Sequence, residues 1–274
     1  MQKENNYLQI NRQSWNNRTD IHLSSDFYDL ENFIKGKSSL NSIELGLLGD
    51  LTGKTILHLQ CHFGQDTISL SRLGAEATGV DFSDKAIESA KQIAKDTNSN
   101  ATFICCDIYD LANYLDQQFD IVFTSYGTIG WLPDLDKWAK IVSNFLKPNG
   151  QFVFVEFHPV VWMFDDNFEK ISYRYFNSGA IVESLNGTYA DKSADITQEY
   201  VMWNHDLSEV INNLIKNGLE INSFNEYDYS PYDCFNKTIE FEPKKYRIEH
   251  LENKIPMVYS VVAKKKTADN VYKK

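Results

Sequence analysis

Two spacings of apolar residues alternate along the first half of the chain. Apolar runs of strand length at 55–59, 77–80, 101–106, 119–125 and 151–157 are separated by segments whose apolar residues recur every three or four positions. Ile68, Leu70 and Leu73 mark one such segment, and Ala86, Ile87, Ala90 and Ile93 mark the next, with Ser83 as its cap. Further helices are predicted at 109–115 and 135–146, and Lys147 to Gly150 reads as a turn that launches QFVFVEF. Strands alternating with helices and bounded by Gly, Asn or Pro predict an α/β fold whose mainly parallel sheet is covered on both faces. Upstream, 26–35 and 41–51 carry helical spacing, whereas the segment before them, with Trp15 and His22, is aromatic without a clean period.

The alternation stops at Pro159. Short strands at 171–176, 180–185 and 197–203, with Asn-Ser-Gly and Asn-Gly turns, predict an inserted antiparallel flap. A helix at 207–216 and strands at 219–227 and 257–264 then complete the sheet, leaving a long aromatic loop at about 230–255. The expected organisation is a helical lid at 1–50, a core at 51–158, the flap at 159–204, completion of the core at 205–266 and a tail at 267–274.

Composition narrows the function classes. A formal charge of −11 disfavours duplex nucleic acid, whose phosphates the overall field repels. Lys264 to Lys266, echoed by Lys273 and Lys274, reads as a solvated tail. No apolar stretch nears the roughly 20 residues of a membrane helix, and the polar start lacks a signal-peptide core, so a cytoplasmic location is expected. The four cysteines form neither CxxC nor a Cys/His zinc spacing, so reduced thiols and no metal are expected.

Candidate chemistry concentrates at 54–81. A strand, a polar turn at Gln60 to Gly64, a helix stopped by Gly74 and a second strand closing on Asp81 form a β-turn-α-β unit with a carboxylate at its far end. Such a unit suits the ribose-bearing half of a nucleotide-like cofactor, since the turn offers close N–H groups and the acid accepts from ribose hydroxyls.

The order of these features resembles the class I S-adenosylmethionine-dependent methyltransferases, small-molecule branch, over roughly 51–157 plus the closing helix and strand pair. The resemblance implies a Rossmann-like seven-stranded mixed sheet with its last strand antiparallel. The family's first strand ends in D-x-G-x-G-x-G; here the run is His58-Leu59-Gln60-Cys61-His62-Phe63-Gly64, which keeps only the last glycine. Gln60 and His62 imply a turn of different shape whose side chains reach the ligand, and His58 cannot accept from the cofactor's ammonium as a carboxylate does. The Gly-Val-Asp at 79–81, Cys106-Asp107 and FDIVFTSYG keep the family's order. On the resemblance, Gln60, Cys61, His62 and Gly64 border the cofactor, Asp81 holds the ribose, and Phe82 covers the adenine. Asp107 and Ile108 meet the adenine edge, and Tyr126 borders the methionine part. The competing reading of Asp81 and Asp107 is that they cap the helices that follow.

Methyl transfer from a sulfonium needs alignment and dryness more than acid chemistry, with a base only if the acceptor must lose a proton. His158, at the rim of the fifth strand, is the candidate base; a structural histidine is the alternative. Glu156 either enters the pocket or backs the sheet, and His205 reads as a local hydrogen-bond partner. Trp15, His22, Tyr28 and Trp131 are candidate substrate or lid residues, with core packing as the competing reading for the tryptophans. The aromatic residues of the flap and late loop suit an apolar small-molecule acceptor and a homodimer contact equally. The rivals are a nicotinamide-dependent oxidoreductase, disfavoured by the missing G-x-G-x-x-G, and a cofactor-binding protein without catalysis.

Overall fold

The computed structural model describes residues 3–266, so the expected tail at 267–274 lies outside the described residues. In chain order the elements are α1 (Tyr7–Ser24), α2 (Leu30–Ile34), α3 (Ser42–Leu48), β1 (Thr55–Leu59), α4 (Gln65–Arg72), β2 (Glu76–Asp81), α5 (Asp84–Asp96), β3 (Thr102–Cys105), β4 (Phe119–Ser125), α6 (Leu135–Phe145) and β5 (Leu146–Phe157). There follow β6 (Ile181–Asn186), β7 (Thr197–Met202), α7 (Leu207–Lys216), β8 (Leu219–Tyr227), β9 (Thr238–Glu242), β10 (Lys245–Ile248) and β11 (Val258–Lys265).

Seven strands form one sheet in the order β3-β2-β1-β4-β5-β11-β8. β11 runs antiparallel to both β5 and β8, and the pairs from β3 through β5 are parallel. The order reverses direction between β1 and β4, which opens a crevice at the carboxyl ends of those strands. Both faces are covered because consecutive residues of the central strands, which point to opposite faces, are apolar. Leu57 and Leu59 pack with Trp138, Val142 and Leu214 of α6 and α7 on one side, and Ile56 and Phe123 pack with Leu48 and Leu70 on the other. The face expected on α5 is the buried one, and Ser83 Oγ caps that helix by accepting from Ala86 N.

Five expectations change. The amino-terminal arm is an 18-residue helix, and its buried face is polar: Asn11, Ser14, Arg18, Thr19 and His22. The helical spacing is present, but in residues that an apolar pattern does not register. The helix expected at 26–35 shortens to Leu30–Ile34, starting after Asp29 at φ 44. Residues 147–150 form an irregularity within β5, with Asn149 at φ 62, instead of a turn ahead of it. The flap holds two strands, β6 and β7. Of the third expected strand, 171–176, only an isolated bridge between Ile171 and Phe164 forms. The long loop at 230–255 contains the β9–β10 hairpin, whose β9 residues are almost all exposed and so give no burial signal.

Candidate functional site

The turn after β1 puts residues other than glycine into backbone that favours glycine. Gln60, His62 and Gly64 have φ of 57, 51 and 78°, left-handed at each alternate position. At the two non-glycine positions this backbone costs about 1–2 kcal/mol per residue. Gly64 has no substitute, since a Cβ there would lie 2.4 Å from the Phe103 ring. Gln60 is held by its Nε2 donating to Thr128 O at 2.8 Å, and His62 by its N–H donating to Asp81 Oδ2 at 2.9 Å.

A cleft opens beside this turn, lined by Gln60, Val80, Asp81, Phe82, Cys106, Asp107 and Ile108 from the strand tips. Tyr7, Leu8 and Asn11 of α1 and Trp131 and Leu132 close it from above. Asp81 and Asp107 thus face one compartment. Asp81 accepts from His62 N through one oxygen and from Ser83 N, also at 2.9 Å, through the other, which leaves each oxygen a further lone pair. Burial pushes its carboxyl up to about 6, against those backbone donors. Asp107 lines the cleft and also caps the turn that follows, accepting from Tyr109 N at 3.0 Å, and burial raises its pKa as well. Gln60 Oε1 is buried without a partner among the described residues.

Other expected residues stand elsewhere. Cys61 is buried against α4 and α5, and Tyr126 directs its hydroxyl to Glu44 Oε2 at 2.8 Å; neither lines the cleft. His58 bonds Thr67 Oγ1 at 2.8 Å, and burial takes its pKa down to about 3, so it packs as a neutral ring. His158, the candidate base, lies away from the cleft with both ring nitrogens engaged: Nε2 with Glu226 Oε1 at 2.9 Å and Nδ1 accepting from Val160 N at 3.2 Å. His205 bonds Glu209 and Leu132 O. The Glu156 carboxylate accepts from the N–H groups of Gly127, Thr128, Ile129 and Phe157 and from the Thr128 hydroxyl. It shapes the loop carrying Trp131, whose Nε1 donates to Gly127 O at 2.8 Å.

Above the turn lies a buried aromatic and basic cluster. Trp15 meets the rings of His62 and Trp131 at 5.1 and 5.3 Å. Tyr28 exchanges a 2.5 Å hydroxyl bond with Tyr189 of the loop between β6 and β7. The rings of Trp15, Trp131 and Tyr200 surround the Arg18 guanidinium at 5.2 to 5.7 Å. Sequence reasoning missed Tyr7, Leu8, Asn11 and Arg18; the polar repeat 11, 14, 18, 22 would have found the last two.

Residues 51–213 match a family model described as a methyltransferase domain. Among curated proteins, the chain is 27% identical over 136 residues to the ubiquinone biosynthesis O-methyltransferase of Idiomarina loihiensis, covering 48% of this chain and 56% of that protein. It is 30% identical over 135 residues to the Coxiella burnetii protein of the same name, covering 48% and 57%. The match thus spans little over half the length of these relatives. The fold is similar to a solved S-adenosylmethionine-dependent methyltransferase from Mesorhizobium loti, with a TM-score of 0.57 at 20% identity over 85% of this chain and 100% of that one. A second, from Clostridium acetobutylicum, gives 0.56 at 17% identity over 91% and 96%.

Proposed function

The chain belongs to the class I, Rossmann-like, S-adenosylmethionine-dependent methyltransferase family, small-molecule branch, and from that premise we propose that it transfers a methyl group from S-adenosylmethionine to a small-molecule acceptor. The observation that carries this reading is the single cleft into which Asp81 and Asp107 both open from neighbouring strand tips.

The residues present fit an adenosine. Asp81 would accept from the ribose hydroxyls with the lone pairs its two backbone donors leave free, Phe82 and Ile108 would flank the ring, and Asp107 would accept from the exocyclic amine. Bound, the cofactor supplies a methyl on a sulfonium that is already a good leaving group. The protein's part is then to align an acceptor for in-line displacement and to exclude water. Trp15, Trp131 and α1 provide the dry cover, which supports the lid role of residues 1–50. His158 is given no part in proton transfer, because Glu226 and Val160 N occupy its ring.

Calorimetry with S-adenosylhomocysteine and with NADH tests the cofactor: the first binds and the second does not. Methyl-labelled S-adenosylmethionine incubated with a small-molecule extract tests the transfer. NADH binding without S-adenosylhomocysteine binding would end the reading. Cofactor binding with no labelled product would leave a non-catalytic binding protein.

A further inference from the structure

The face of α1 that looks onto the turn after β1 carries hydrogen-bond donors for which the described residues supply no acceptor. Arg18 is 3% exposed, and its Nε and Nη2 have no partner among the described residues. These two N–H groups form one edge of the guanidinium, the fork that matches the two oxygens of a carboxylate. No acid among the described residues is paired with it, and burial lowers its pKa.

One turn along the helix, His22 adds a third donor, and its tautomer follows from its neighbours. Phe63 N–H donates to His62 Nδ1 at 2.8 Å, so His62 carries its proton on Nε2. That nitrogen lies 2.9 Å from His22 Nδ1, which must therefore accept. Burial and the Arg18 charge take the His22 pKa down to about 3, so the ring is neutral and its one proton sits on Nε2. His22 Nε2 is buried and has no partner among the described residues. A fork and an imidazole N–H, each without an acceptor among the described residues, call for a group that only accepts.

We propose that Arg18 and His22 form a carboxylate-binding subsite, and that the methyl acceptor is a carboxylic acid. This rests on the methyltransferase reading above and names its substrate class. The cofactor's own amino-acid tail also bears a carboxylate, but the placement of Arg18 favours the acceptor. The rings around it come from α1, from Trp131 and from Tyr200 of the inserted hairpin, and not from the strand tips that line the cleft. The first N–H groups of α4, directly after the turn, remain to meet the cofactor's tail.

The test uses the wild-type protein, R18M and R18K, each saturated with S-adenosylhomocysteine. Acetate, benzoate and 3-phenylpropionate are titrated against their amides by calorimetry and tryptophan fluorescence. At least one acid is expected to bind roughly tenfold tighter than its amide, R18M to abolish that preference, and R18K to retain part of it. R18M should melt no lower than wild type, because it removes a buried charge that no acid among the described residues pairs. Equal binding of every acid and its amide, or an acid preference that survives in R18M, overturns the proposal. So does a roughly tenfold loss of S-adenosylhomocysteine affinity in R18M with 5′-methylthioadenosine, which lacks the tail, unaffected; the guanidinium would then serve the cofactor. Failure of the wild type to bind S-adenosylhomocysteine at all strikes the methyltransferase reading instead, and is seen before any acid is added.

Discussion

Asn11 and Val201, 190 positions apart, exchange two hydrogen bonds: Asn11 Nδ2 donates to Val201 O, and Val201 N donates to Asn11 Oδ1, both at 2.8 Å. One amide side chain thereby continues the β6–β7 hairpin into α1 and fixes the cover over the cleft. Asn16 makes the second attachment, donating to Asp84 Oδ1 at 2.8 Å and accepting from Ser83 Oγ at 2.6 Å.

Asn11→Ala should therefore destabilise the protein by about 2–4 kcal/mol, since two buried backbone groups lose their partners. The hairpin should also become the first site of cleavage in limited proteolysis. Urea unfolding and mass mapping of the fragments check both; an unchanged midpoint with an uncut hairpin would show that the clamp is dispensable.

Asp81 gives the protein a pH signature. Its carboxyl is raised to about 6 by burial, so the ligand-free fold favours the protonated form. That contribution to stability is full below the ordinary carboxylate range and is lost as pH rises through about 6. Ribose hydroxyls, which donate, reverse the preference. Affinity for S-adenosylhomocysteine should therefore climb with pH, at most tenfold per unit, and level off above about 6. In Asp81→Asn, affinity should fall by about 1.5–3 kcal/mol and this slope should vanish. Calorimetry from pH 5 to 8 reads both.

Gln60 allows the strain of the turn to be measured. Gln60→Ala loses the bond to Thr128 O and keeps the left-handed backbone, whereas Gln60→Gly loses the same bond and relieves the strain. The glycine variant should be the more stable of the two by about 1 kcal/mol. A glycine variant no more stable than the alanine one would mean that φ at this position costs nothing.

Glu156→Gln should cost about 3 kcal/mol or more, because the amide presents donors to backbone N–H groups that now meet oxygen. Loosening of the loop should show as a drop in steady-state tryptophan anisotropy, read at Trp131 with the other four tryptophans replaced by Phe.

The sheet was legible because its strands and α4 to α7 announce themselves by apolar spacing; β1 and β4 fall on the expected residues. Asp81 and Asp107 were legible for the same reason, as the residues at which strands end. What escaped had a polar inner face. The burial of Ser14, Arg18 and His22 obeys the helical period as well as any leucine would, but hydrophobicity is blind to it. Likewise, positive φ at Gln60 and His62 cannot be read from residue types that rarely adopt it. His158 stands outside the lining of the cleft because position in sequence places a residue at a strand's rim without saying which way its ring turns; here it turns to Glu226.

The distance along the chain between Asn11 and Val201 also orders the protein's birth. α1 leaves the ribosome well before the hairpin, and Asn11 has no Val201 to bond until β7 follows, by which time every strand from β1 to β5 has been made. During synthesis the crevice at the strand tips is therefore formed and open before its roof can settle. A nascent chain stalled just short of β7 would present that crevice to solvent, uncovered.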